Sequence, residues 1–159
     1  MTHAPFRIAT VISALLSLAA CASVPPASDR LTQQSRAFIP PPGKANVYVV
    51  RPYNYAGSCC VWPVSLDFQE FGSLGLSSYL YGVVDPGDHF VGSTLMGSSP
   101  TRVKFNATAG SNYFFKISPG FASISIDRLT EEDGRQRVLE YTASGDNRFE
   151  FVGATSAPH

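Results

Sequence analysis

Short runs in which apolar and polar residues alternate, separated by glycine and proline, recur through the chain from Lys44 onward. Alternation of this kind occupies residues 64–68, 102–107 and 122–127, and residues 47–50 form a continuous apolar run. A period of two residues is typical of a β-strand with one buried and one exposed face. About seven such strands at close spacing predict a mainly β fold, and we favour an antiparallel β-sandwich, immunoglobulin-like or similar, over a barrel.

Two turns divide the predicted strands. In residues 85–88, Pro86 presets φ at the second turn position and Gly87 accepts positive φ at the third. Gly110 marks a second turn, between two alternating runs. We expect those runs to pair as a hairpin whose core-facing side chains are Val103, Phe105, Tyr113, Phe115 and Ile117.

Residues 130–141 fit either a short C-terminal helix or a hairpin. Thr130 followed by three acidic residues is typical of a capped helix start, where carboxylates lie near the positive end of the helix dipole. The Asp133-Gly134 pair also favours a tight hairpin turn, and Gly134 weakens a helix by about 1 kcal/mol relative to Ala. We favour the helix, with Val138, Leu139 and Tyr141 on its buried side.

The N-terminus has the organisation of an export signal. Arg7 supplies the positive charge, and residues 8–18 supply an apolar run that is too short to span a bilayer. The run closes on the residues LAAC, ending at Cys21, which resemble the bacterial lipobox. The sequence therefore predicts a signal peptide over residues 1–20, cleavage before Cys21 and lipid attachment to the Cys21 thiol.

Lipid attachment at Cys21 would place the protein in the cell envelope. Each buried acyl CH₂ group contributes about 0.8 kcal/mol, so several chains on one residue anchor a protein firmly in a membrane. Ala22 rather than Asp follows the cysteine. By resemblance to sorting in enteric bacteria, Ala22 favours the outer membrane, with the protein facing the periplasm.

Residues 22–43 are rich in Pro, Ser, Ala and Gln and show no apolar periodicity. Such a composition favours extended or disordered chain. We expect residues 21–43 to be the lipidated cysteine and a tether with little fixed structure. The β-sandwich domain is predicted for residues 44–153, and a disordered tail for residues 154–159.

Several stretches between Ala45 and Tyr141 carry a family resemblance. They are ANVYVVRP from Ala45, VSLD from Val64, PGDH from Pro86, AGSNYFFK from Ala109 and EEDGR from Glu131. In this order they resemble an uncharacterised bacterial lipoprotein family, domain of unknown function 2846. The resemblance implies a β-sandwich and export, and it assigns no activity or functional residue. The chain departs from the family at residues 68–70, where the family has a Gly-containing turn, and at Cys59-Cys60.

A histidine-dependent catalytic triad would have to be built around His89, because His3 lies in the predicted signal and His159 at the C-terminus. As the first strand residue after a turn, His89 is expected to be partly exposed and to make one hydrogen bond. The spacing of His89 from Cys59 and Cys60 matches no metal site. We predict no catalytic residue, metal or cofactor.

Cys59 and Cys60 are adjacent, which is the least common feature of the sequence. In an oxidising compartment they can form a strained disulfide ring across one peptide bond, and such bonds are readily reduced. The alternative is that one cysteine packs at a strand start and the other is exposed. A redox function receives little support, because the spacing Cys-x-x-Cys is absent.

Twelve basic residues balance twelve acidic residues, and no basic stripe is present, so the sequence argues against nucleic acid as a partner. Trp62 with Tyr53 and Tyr55 would form an exposed aromatic patch for a glycan or an envelope protein, although we favour core packing of Trp62. The expected function is a lipid-anchored envelope protein with a non-enzymatic binding or structural module. The alternative is a periplasmic enzyme or redox protein using Cys59-Cys60.

Overall fold

Two β-sheets face each other across a shared core in the computed structural model, which describes residues 24–54, 60–94, 99–119 and 123–147. Helices cover the outer face of one sheet. The elements are α1 (Asp29–Ala37), β1 (Ala45–Arg51), β2 (Trp62–Leu66), β3 (Gln69–Leu74), β4 (Ser78–Val84), β5 (Gly87–Ser93), β6 (Thr101–Ala107), β7 (Asn112–Pro119), β8 (Ile124–Arg128), α2 (Glu131–Glu140) and β9 (Thr142–Ala143). The predicted mainly β sandwich with a short helix near the C-terminus is confirmed.

One sheet has the strand order β8-β7-β1-β4-β9 and the other the order β3-β2-β5-β6. Neighbouring strands are antiparallel, except that β7 runs parallel to β1 and β9 parallel to β4. The pairing registers place the connections after β1, β3, β5 and β7 at one end of the sandwich, which we call the Tyr53 end. The connections after β2, β4 and β6 lie at the opposite end, which we call the Phe68 end.

Strand β1 is buried along its whole length. Val47 and Val49 pack in the core between the sheets, whereas Tyr48 and Val50 pack under the helices. A strand with alternating residues has one solvent-exposed face, but a strand with both faces covered needs apolar residues throughout. The continuous apolar run at residues 47–50 is explained by this double coverage.

Helix α2 begins at its N-cap Thr130, whose side chain accepts a hydrogen bond from Asp133 N. The helix interpretation of this segment is confirmed, and the hairpin at Asp133-Gly134 is wrong. Gly134 rests on the Phe114 ring, where a Cβ would lie 2.1 Å from Phe114 Cγ. The helix keeps a glycine at this position because no larger residue allows so close an approach to the sheet.

The buried face of α2 is narrower than predicted. Val138 is fully buried and Tyr141 is half-buried, but Leu139 is 56% exposed. Successive residues of a helix are turned by about 100°, so Leu139 points away when Val138 faces the sheet. The predicted burial of Leu139 is therefore wrong. Neither of the helices in the described ranges is both long enough and apolar enough to cross a membrane.

The predicted tether carries fixed structure over its described part, residues 24–43. Ser28 caps α1 by accepting a hydrogen bond from Leu31 N at 3.3 Å. Phe38 ends the helix and is only 8% exposed, with its ring 5.7 Å from that of Tyr48. The prediction of little fixed structure before Lys44 is wrong, because the few apolar side chains of this segment pack together against the sheet.

Buried hydrogen bonds also fix α1 to the five-stranded sheet. The Tyr48 hydroxyl donates to Ser35 O at 2.8 Å, and Ser35 Oγ lies 2.8 Å from the Tyr79 hydroxyl. The side-chain amide of Asn112 donates to Phe38 O at 3.1 Å. Burial raises the pKa of Tyr48 far above its ordinary value, so its hydroxyl keeps the proton that it donates. A satisfied polar network of this kind fixes one docking arrangement.

The predicted hairpin between Phe105 and Phe115 is not formed. Strand β6 pairs with β5 in the four-stranded sheet, and β7 joins β1 and β8 in the five-stranded sheet. Gly110 N donates to Lys44 O at 2.8 Å, which directs the chain to the second sheet. Both rings nevertheless face the core, and their centroids lie 5.0 Å apart across the sandwich.

Candidate binding site

A two-residue turn, Asp67-Phe68, joins β2 to β3 beyond the pair Leu66 and Gln69. The φ angles of Asp67 and Phe68 are 51° and 66°. Two successive positive φ values define a type I′ turn, which strongly prefers Asn-Gly. Placing an ordinary residue in the left-handed region costs about 1–2 kcal/mol. The prediction that Phe68 continues the alternation of β2 is wrong, since the chain reverses before it.

Asp67 holds this turn against β5. Its Oδ1 accepts a hydrogen bond from Phe90 N at 2.9 Å, and its Oδ2 lies 2.6 Å from His89 Nδ1. The Asp67 backbone N donates to Phe90 O at 2.9 Å. Three polar contacts from one residue offset the backbone cost of the turn and fix where Phe68 is presented.

Phe68, Phe90 and Arg102 form a surface cluster that we call the Phe68 patch, in which Phe68 and Arg102 are exposed and Phe90 is half-buried. Phe68 is 66% exposed, and its ring centroid lies 5.2 Å from that of Phe90. The Arg102 guanidinium carbon lies 5.4 Å from the centre of the Phe68 ring, within the range of a cation–π contact. Among the described residues, the patch thus combines two aromatic rings and a cation on the outer face of the four-stranded sheet.

Charged groups of both signs lie beside the patch. Lys104 pairs with Phe90 in the β5–β6 register, and its Nζ lies 2.7 Å from Asp88 Oδ2. The Asn106 side-chain amide donates to Asp88 Oδ1 at 2.9 Å. Hydrogen bonds from Lys104 and Asn106 hold the pKa of Asp88 below its usual value, so this carboxylate is ionised at neutral pH. The aromatic rings of the patch are therefore bordered by charged and polar groups.

His89 is partly exposed, as predicted, but it makes more contacts than predicted. Its side chain is 13% exposed. Its Nδ1 lies within hydrogen-bond distance of Asp67 Oδ2, at 2.6 Å, and its Nε2 lies 2.7 Å from Asp85 O. Its ring also packs on Phe105, with centroids 5.6 Å apart. The expectation of one hydrogen bond is wrong, because the turn after β2 folds back onto the start of β5. With both ring nitrogens engaged, His89 supports the Phe68 turn.

The aromatic patch that would have used Trp62 is not formed. Trp62 is 3% exposed and packs in the core, as we favoured. The guanidinium carbon of the buried Arg51 lies 3.8 Å from the centre of its ring, and Arg51 Nη1 donates to Leu74 O at 2.8 Å. Tyr53 is 67% exposed, and Tyr55 lies outside the described residues.

Of the three cysteines, Cys21 and Cys59 lie outside the described residues, so the lipid attachment and the disulfide stay predictions. Cys60 is exposed at the Tyr53 end, and its carbonyl accepts a hydrogen bond from Arg51 at 2.6 Å. Within the described ranges, no group of three or more His, Cys, Asp or Glu side chains could hold a metal ion.

Sequence reasoning missed the Phe68 patch. Alternation alone predicts that Phe68 lies on the same face as Leu66, so it does not indicate that Phe68 is exposed. The role of His89 could not be read from its position, because its partner Asp67 is 22 residues away.

Comparison with known proteins gives similarity without an assigned activity. No protein-family model matches the chain. The chain is similar to a protein of Haemophilus influenzae described as uncharacterized, with 25% identity over 138 residues. The match covers 84% of this chain and 81% of that protein.

Proposed function

We propose that the chain is a lipid-anchored protein of the bacterial cell envelope, and that its sandwich is a non-enzymatic binding module that contacts an envelope partner through the Phe68 patch. The observation that best supports a binding role is the conformation of the Asp67-Phe68 turn. An exposed phenylalanine at φ 66° contributes little to the core and occupies a conformation that glycine adopts at lower cost. Backbone strain retained at an exposed site is typical of function.

The composition of the patch supports a contact role. Aromatic residues and arginine are enriched among the residues that dominate binding energy at protein interfaces. Phe68 is held by a tilted ring contact with Phe90 and by the hydrogen bonds of Asp67, so little side-chain freedom is lost when a partner binds. The same network engages both nitrogens of His89, the histidine around which a catalytic triad would be built.

The anchor rests on the N-terminal sequence. An apolar run closed by LAAC at Cys21 has the order of a lipoprotein signal, and the resemblance to domain of unknown function 2846 points the same way.

Replacing Cys21 with Ser is expected to move the protein out of the membrane fraction or leave it unprocessed, because a hydroxyl cannot form the lipid thioether. Fractionation followed by mass measurement of the N-terminal peptide checks this result. Cys60→Ser is the matched control, since it removes a thiol without touching the signal. A C21S protein that is cut at the same bond and stays membrane-bound would refute the anchor.

A photo-crosslinking residue at position 68 is expected to give discrete adducts with an envelope component in intact cells. The matched control is the same residue at position 139, because Leu139 is also exposed but lies on α2, in the layer that covers the other sheet. Gel mobility and mass spectrometry of the adducts distinguish a protein partner from a glycan. No adduct at position 68, or the same adducts at both positions, would contradict a binding role for the patch.

A further inference from the structure

Each of the two ring nitrogens of His89 faces an oxygen atom. Nδ1 lies 2.6 Å from Asp67 Oδ2, and Nε2 lies 2.7 Å from the backbone oxygen of Asp85. A carboxylate oxygen and a carbonyl oxygen only accept hydrogen bonds, so both nitrogens have to be donors. A neutral imidazole carries a proton on one nitrogen in either tautomer, whereas the imidazolium carries a proton on each. Both contacts of His89 are therefore hydrogen bonds only when its ring is an imidazolium.

The Asp67 carboxyl group is the alternative position for the second proton. Aspartic acid is ordinarily a stronger acid than the imidazolium of histidine. The Asp67 side chain is 38% exposed, and its Oδ1 accepts a hydrogen bond from Phe90 N at 2.9 Å. Solvent and a backbone donor both favour the ionised carboxylate. The pair is therefore an aspartate and an imidazolium.

The other groups beside His89 are compatible with a positive charge on its ring. The Phe105 ring of β6 packs on the imidazole. Asp88, the preceding residue on β5, is an anion: hydrogen bonds from Lys104 and Asn106 lower its pKa, and the charge of His89 adds to this lowering. Among the described residues, the charged groups of the neighbouring segments are held in ion pairs, which are Lys44–Asp85 and Lys104–Asp88.

Loss of a proton from His89 disturbs the turn that presents Phe68. In the neutral ring, one nitrogen lone pair faces an oxygen at 2.6 or 2.7 Å. Two lone pairs repel each other at such a distance, so the ring has to shift, and the positive charge that attracts Asp67 is lost in both tautomers. Asp67 fastens the turn to β5 against the cost of its positive φ angles. A weaker hold on Asp67 therefore frees Phe68.

We propose that protonated His89 fixes the Phe68 patch for binding, and that the patch binds its partner more weakly as the pH rises. This inference rests on the proposed binding role of the patch. The charged ring makes the contacts, so its contribution is complete at acidic pH and is lost as His89 releases its proton. Histidine ordinarily changes charge between about pH 5 and pH 8. A fixed Phe68 loses less side-chain freedom on binding than a mobile one.

NMR of the purified full chain tests the link between His89 and the turn. Both ring nitrogens should carry protons at about pH 5.5 and only one at about pH 8.5, and the spectrum of His89→Gln identifies their signals. Over the same range, the hydrogen-exchange protection of Phe90 N–H, which donates to Asp67, should fall several-fold. Protection of Val49 in the buried strand β1 should stay constant. A single protonated nitrogen at the acidic pH would overturn the proposal.

Asp67→Asn is the matched variant. Asn is favoured in a type I′ turn, so the turn should persist, but its amide has no charge to pair with His89. In Asp67→Asn, as in His89→Gln, the protection of Phe90 N–H should no longer depend on pH. A fall of the same size in Asp67→Asn would overturn the proposal, even if His89→Gln does not fold.

Photo-crosslinking from position 68 in isolated envelopes tests the effect on binding. The adduct yield should be several-fold lower at about pH 8.5 than at about pH 5.5, and it should not depend on pH when Asp67→Asn is also present. Equal yields at both pH values without Asp67→Asn would overturn the pH dependence and leave the binding role intact. No adduct at either pH would contradict the binding role itself, and its control by pH with it.

Discussion

Replacing Phe115 with Ala is expected to lower the free energy of unfolding by about 3–5 kcal/mol. The side chain is fully buried, and its ring packs 5.0 Å from that of Phe105 across the two sheets. Strand β7 lies between β1 and β8, so neighbouring strands cannot easily close the cavity. Since a domain of this size is stable by only about 5–15 kcal/mol, the loss should be evident in urea unfolding of a chain without residues 1–23.

Phe68→Ala is the matched control for this prediction. It removes the same ring from a side chain that is 66% exposed. Since Ala at this φ carries the same backbone strain as Phe, the loss should be about that of the ring contact with Phe90, roughly 0.5–1.5 kcal/mol. A comparable loss of stability in both variants would show that Phe68 is part of the core. The two variants also separate stability from binding, because Phe68→Ala should weaken partner contact while the domain stays folded.

Which face of each strand is buried could be predicted from the sequence, but which strands pair with each other could not. Period-two alternation correctly placed Phe105 and Phe115 toward the core, because side-chain direction is a local property of a strand. Pairing depends on distant contacts, here the hydrogen bond from Gly110 N to Lys44 O. Sequence neighbours usually pair, and that tendency produced the wrong hairpin.

The candidate site was less accessible to sequence reasoning. Turn geometry decides whether Phe68 is buried or exposed, and two positive φ angles at Asp67 and Phe68 are not predicted by their residue types. The helix α2 was predictable from its capping residues, whereas the need for Gly134 was not, because the Phe114 ring that excludes a Cβ comes from another element.

The structure of residues 24–27 and of α1 was not predicted, for a related reason. A proline-rich composition favours extended chain only when nothing else binds the segment. Here a small number of apolar side chains, together with the hydrogen bonds of Ser35, supply the binding. The spacing of these side chains in the sequence follows neither a helix nor a strand period, so it does not indicate that they pack against the sheet.

Replacing Phe38 with Ala is expected to cost about 3 kcal/mol, the lower part of the range for a buried phenylalanine. Its ring packs on Tyr48 and Phe114 between α1 and the sheet, so its loss should also loosen residues 24–38. The neighbouring Ile39→Ala is the matched control, since Ile39 is 74% exposed, and it should change stability by about 0.5 kcal/mol or less. Urea unfolding gives both values, and proteolysis of the N-terminal segment reports its release.

If residues before Lys44 were a free tether, neither substitution would change the stability of the domain. A Phe38→Ala protein as stable and as protease-resistant as Ile39→Ala would therefore support the free tether and contradict the packing of residues 24–38 against the sheet.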